Sequence, residues 1–144
     1  MTEILAFSKA KTGFSSVYDD VEQAGLRLIG RRKSEPIALV RRSELADLYA
    51  REHPFTTQMS RSGKQVSIWL NEFDVYGQGP SITAAVEALI SEVEEYVAHW
   101  EAELRHAPNH VQRSGWVRRI QLAGGDRADI RRVIFPQPTD HSPR

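Results

Sequence analysis

The chain has 144 residues, 19 Lys and Arg against 19 Asp and Glu, and no cysteine. That length suits one domain or two very small ones, and the missing cysteines exclude disulfides and thiolate metal sites. No apolar run approaches the roughly 18 residues of a membrane span, and no charged-then-apolar leader opens the chain, so no membrane partner and a cytoplasmic location are expected.

The zero net charge conceals three blocks. Residues 1–53 hold nine cations and eight acids, residues 54–104 two and eight, and residues 105–144 eight and three. The acidic middle would repel nucleic acid, so any DNA contact must use one end of the chain.

Ile4 to Phe7 reads as a short strand, and Ser8 as the N-cap of a first helix. Ala10, Phe14, Val17, Tyr18 and Val21 then fall on one helical face, and Gly25 is a natural stop. Leu26 to Gly30 alternates as a strand. Arg31 to Pro36 reads as a basic turn, Ile37 to Val40 as a further strand, and Ser43 as the cap of a short helix reaching Tyr49.

The ordered set in FSKAKTGFSSVYDDVEQAGLRLIGRRKSEPIALVRRSELADLY resembles the N-terminal domain of Phd/YefM antitoxins. The matching features are the serine-capped helix, the glycine and strand, the basic turn with proline, the Pro-Ile-Ala-Leu-Val strand and a second serine-capped helix. The resemblance implies a homodimer that binds operator DNA. Lys9, Lys11, Arg31, Arg32 and Lys33 are the candidate DNA-binding residues. Cations in a first helical turn oppose the macrodipole, which is easier to understand if they face phosphate. A unit of fifty-odd residues with an open sheet edge also has physical reasons to dimerise.

Phe55 to Ser60 and Gln65 to Leu70 read as a hairpin turning at Gly63, with Val75 to Gln78 as a third strand. Ser81 then caps a long helix, to about Arg105, whose apolar stripe includes Ala85, Leu89, Val93, Val97 and Trp100. Leu70 to Asp74, Gln78 to Ser81 and that stripe resemble a HicB-like partial fold. Glu72 and Asp74 lie in an exposed turn and do not read as a catalytic pair. His106 and His110 are four apart, but Pro108 lies between them and no third ligand is near. With no phosphate loop and no identifiable base beside any serine, no enzyme, no metal and no cofactor are expected.

Beyond residue 105, Trp116, Val117, Ile120 and Leu122 suit one face of a short helix, with a strand over 116–122 as the alternative. Asp126 caps a helix from Arg127 to Phe135, and Pro136 ends it. The polar residues 136–144 read as a disordered tail. Elements this short need a surface to pack on. Antitoxins of the resembled family use a C-terminal segment to block a toxin, commonly a ribonuclease. By that layout Trp116, Ile120, Ile130, Val133 and Phe135 are candidate partner-binding residues.

The expected fold class is α+β: a Phd/YefM-like β-α-β-β-α unit over 1–52, a HicB-like ββ-β-α module over 53–105 and a helical, toxin-binding extension over 106–135. The expected function is an antitoxin of a type II toxin-antitoxin system that binds its toxin and represses its own operon. The alternative is a stand-alone transcriptional regulator.

Overall fold

The structure is a computed structural model that describes residues 3–136. Of the expected disordered tail, 136–144, residues 137–144 lie outside the described residues. The chain divides into two compact units, Met1–Leu48 and Tyr49–Arg144. Each has its own three-stranded sheet, so the class is α+β.

In the first unit, β1 (Ile4–Ala6) pairs in parallel with β2 (Leu26–Gly30), which pairs antiparallel with β3 (Ile37–Val40). A parallel pair requires a crossover, and helices supply it. The expected single helix is two: α1 (Phe7–Thr12) and α2 (Phe14–Ala24), divided at Gly13. Glycine is a poor helix former. Thr12 just before it bonds back through its hydroxyl to the Ser8 and Lys9 carbonyls, a contact that bends helices. Ser8 is therefore not the cap; Ala6 holds that position without a side-chain bond. Gly25 ends α2 in the left-handed conformation at φ 86°, its N–H donating to the Val21 carbonyl.

Helix α3 (Arg42–Glu52) starts one residue before Ser43 and runs three beyond Tyr49, passing through the boundary between the units. Ser43 is thus inside the helix rather than its cap.

The first unit is thinly packed. Among its described residues only Ala10 and Val17 are buried apolar side chains, and α3 buries none. Ile4, Phe14, Tyr18, Ile37 and Leu48 are each more than half exposed.

The second unit is the better-packed of the two. β4 (Thr57–Ser62), β5 (Gln65–Leu70) and β6 (Val75–Gly79) form an antiparallel meander, with Gly63 at φ 60° in the tight β4–β5 turn. Val66, Ile68 and Leu70 point to the core while Trp69 stacks on Tyr76 on the other face. Helix α4 (Ile82–Ala102) is capped by Ser81, whose hydroxyl accepts from the Ala84 amide at 3.1 Å. It ends three residues before Arg105 and gives way to a 3-10 turn over Leu104–His106.

Glycines in β6 let α4 lie directly on the strand. A Cβ on Gly77 would come within 2.7 Å of the Leu89 Cα, and one on Gly79 within 2.7 Å of the Ala84 Cβ. The strand alternative for 116–122 does not hold, because α5 (Ser114–Gln121) is helical there. Helix α6 (Arg127–Ile134) follows, with the Asp126 carboxylate accepting from the Ala128 amide at 2.9 Å. Both helices pack on α4, so residues 106–135 share the core of the module before them rather than forming a separate extension.

Candidate functional site

The five cations singled out in the first unit are all exposed, and among the described residues none is ion-paired. Other arginines of that unit are engaged: Arg27 lies 4.0 Å from Asp20, and Arg41 bonds Glu44 at 3.1 Å. The Arg31 guanidinium sits 3.8 Å from the centroid of the Phe7 ring, which ties the start of α1 to the basic turn. Lys33 adopts φ 66°, so the turn is sharp at its last cation.

Because α1 is only six residues long, Lys9 and Lys11 both fall in its last turn, and only Lys9 belongs to its first as well. Cations there are favoured by the macrodipole. Their position therefore needs no anion to explain it, and their exposure without ion pairs is what remains.

The C-terminal candidates separate into two groups. Ile120 and Ile130 are 4% and 2% exposed and belong to the core of the second unit. In the folded chain neither offers surface to another molecule. Trp116, Val133 and Phe135 are half-buried at the margin of that core. Trp116 meets the His53 ring edge-on at 4.7 Å, and its indole N–H donates to the Pro54 carbonyl at 2.9 Å. Gly115 makes room for that ring, since a Cβ there would collide with it. Arg119 donates to the His53 carbonyl at 3.0 Å and lies over the Phe55 ring; burial lowers its pKa from the usual arginine value. The segment 53–55 is thus strapped to α5, a connection with no signature in the sequence.

The acidic face of α4 is largely occupied by the chain's own groups. Arg127 bonds the Glu87 carboxylate at 3.0 Å and its carbonyl at 3.1 Å, the Ser91 hydroxyl at 3.3 Å, and the Glu94 carboxylate. The hydrogen bond to Glu87, followed by the charges of Glu94 and Glu87, raises the Arg127 pKa against a desolvation that lowers it. Gln121 donates to Glu101 at 2.9 Å, and His99 meets Glu103 at 3.2 Å. Glu92 and Glu95 are the exposed acids of α4 that make no ion pair or side-chain hydrogen bond among the described residues.

His106 and His110 do not come together as ligands. The His110 Nδ1 faces the Tyr96 hydroxyl at 2.9 Å, while Arg113 donates to that hydroxyl and to the Phe73 carbonyl. This cluster pins the loop after α4 to the turn between β5 and β6. Among the described residues no group of three His, Cys, Asp or Glu is placed to hold a metal ion. No helix among them is long and apolar enough to cross a membrane.

A family model covers nearly the whole of this architecture. Residues 1–135 match the PHD-like family, described as antitoxin of toxin-antitoxin, RelE / RelB, TA system. The chain belongs to this antitoxin family. The antitoxin fold is also that of a crystal structure from Syntrophomonas wolfei subsp. wolfei, described as an antitoxin part of a toxin/antitoxin system. The two share 14% identity with a TM-score of 0.71, over 92% of this chain and 96% of that one. No curated protein matches the antitoxin.

Proposed function

We propose that this antitoxin neutralises its toxin by direct contact and represses its own operon as a DNA-bound homodimer. In this reading the first unit is of Phd/YefM type and residues 53–105 form a HicB-like module. The observation that carries it is the combination found in the first unit: a core too thin for independence beside exposed, unpaired cations.

Dimerisation would cover the apolar side chains that the first unit leaves in water. A groove of 480 Å³ there is lined by Phe14, Tyr18, Val21, Leu39 and Val40, and Phe14 and Tyr18 are 55% and 59% exposed. Fully burying one such side chain contributes about 1.5–3 kcal/mol. A two-fold dimer would present two copies of Lys9, Lys11, Arg31, Arg32 and Lys33 to a palindromic operator.

The toxin contact is assigned to the C-terminal helices. Trp116, Val133 and Phe135 supply apolar contact, and Ile120 and Ile130 act from within by holding α5 and α6 on α4. Glu92 and Glu95 would complement the positive surface that a ribonuclease toxin needs to hold RNA. The protein acts in the cytoplasm in this reading.

Operator binding tests the repressor half. Full-length protein should bind DNA from upstream of its own gene, with an affinity that falls steeply as salt rises. Replacing Arg31 and Arg32 with Ala should flatten the salt slope by about one unit for each phosphate no longer neutralised. An unchanged slope would remove the basic turn from the DNA surface.

A further inference from the structure

Strand β4 is an open edge whose one protecting charge is Arg61, opposite the buried Val66. All six of its residues, Thr57–Ser62, are exposed, and among the described residues it bonds β5 on one side only. The register from Thr57↔Leu70 to Ser62↔Gln65 is unbroken, so no bulge twists the edge away. The strand contains no proline and no acid, and Arg61 is its one charge. Such an edge is a template for another strand.

The free backbone groups can be assigned. The Asn71 amide donates to the Thr56 carbonyl, so Thr56 faces β5. Pairing groups alternate along an antiparallel strand. Gln58, Ser60 and Ser62 therefore also face β5, while Thr57, Met59 and Arg61 direct their N–H and C=O groups outward. On the core side of the sheet, Met59 stands opposite the buried Ile68 yet is 58% exposed, and α4 packs mainly on β6 and β5.

We propose that β4 pairs antiparallel with β4 of a second copy about a two-fold axis at Met59, joining two three-stranded sheets into one. A two-fold axis normal to the sheet keeps both core faces on the same side. Centring it on Met59 uses every outward residue: Met59 opposite Met59, and Thr57 opposite Arg61 twice. That completes about six backbone hydrogen bonds. The two thioethers cover each other, and the two Arg61 side chains stand about 13 Å apart along the strands. No like charges face one another, which is the charge condition for self-pairing. Centring on Ser60 instead would leave Thr57 unpaired within the strand and set Met59 against Arg61. The interface lies wholly in the second unit and does not depend on dimerisation of the first.

The cysteine-free sequence permits a direct test. In this register Gln58 faces Ser60 of the partner copy in a non-hydrogen-bonded pair, with Cα atoms about 4.5 Å apart, within disulfide reach. Two copies of residue 58 are about 8 Å apart, beyond it. Full-length Gln58→Cys and Ser60→Cys chains carrying different tags would be co-expressed and mildly oxidised. The expected product is a covalent dimer containing one chain of each kind, with neither variant cross-linking alone. Hydrogen exchange on the unmodified protein should show the Thr57, Met59 and Arg61 amides slowed at least about tenfold relative to an unpaired strand. Absence of the mixed disulfide, equal cross-linking by single variants, or unprotected outward amides each overturns the proposal. If sedimentation still reports a dimer in that case, the copies associate through a surface other than β4, and the β4 pairing is overturned while the dimer proposed for the first unit is not.

Discussion

Replacing Gly77 with Ala should destabilise the second unit at its centre. The added methyl would stand 2.7 Å from the Leu89 Cα and closer still to the Ala85 carbonyl oxygen and the Leu89 amide nitrogen. Carbon atoms in contact sit about 3.5–4.0 Å apart, so α4 must lift by about 1 Å. The obstacles are helix backbone, and no side-chain rotation relieves them. Overpacking of a core costs about 1–3 kcal/mol, and a backbone obstruction belongs at or above the upper end. Lifting α4 also loosens Ala85 and Leu89, which are fully buried. A loss of about 3 kcal/mol in a unit of this size lowers the Tm by about 12–24 °C. Thermal unfolding followed by far-UV circular dichroism would measure it. Gly63→Ala is the control: it meets no atom within 4 Å and carries only the left-handed penalty, about 1–2 kcal/mol. If Gly77→Ala melts no lower than Gly63→Ala, α4 does not rest on β6 and the packing account fails.

Ile130→Ala should destabilise the second unit by about 2–5 kcal/mol in urea titration, because the side chain lies in the shared core; a loss below about 1 kcal/mol would make α6 an appendage. Arg127→Gln should speed amide exchange in α6 while leaving the sheet protected, since one guanidinium joins α6 to three residues of α4; unchanged exchange would show that apolar contacts alone hold it. Phe7→Ala removes the ring beneath Arg31, a contact contributing about 0.5–1 kcal/mol, and should weaken operator binding about two- to fivefold with the salt slope intact. A lowered slope would mean that Phe7 orders more of the basic turn than Arg31.

The sequence discloses the parts of this fold that rest on short-range signals. Gly25 and Gly63 are legible because a left-handed backbone strongly selects glycine, and Ser81 and Asp126 because a cap needs a short side-chain oxygen. The spacing from Ala85 to Trp100 reveals α4 because one face carries the core. Gly13 gives no such signal, because an isolated glycine within a helical stripe does not announce a break, and that break brings Lys11, and in part Lys9, under the favourable C-terminal end of the dipole. The apolar pattern of residues 116–135 shows that these residues must be covered, but it does not distinguish a partner from the chain's own α4. The contacts that do, such as Arg127 with Glu87 and Trp116 with Pro54, span 40 and 62 residues. The unpaired edge of β4 is equally out of reach, since strand order is a property of the sheet.

Toxin neutralisation tests the central claim most directly. The cognate toxin would be titrated with full-length antitoxin while its activity is followed, with complex formation checked by size-exclusion chromatography. The account predicts a stable complex and inhibition that is complete at a fixed stoichiometry, abolished when Trp116 and Phe135 are both replaced by Ala but retained with Arg31 and Arg32 replaced. A toxin that stays fully active beside excess folded antitoxin, with no complex on the column, would contradict it.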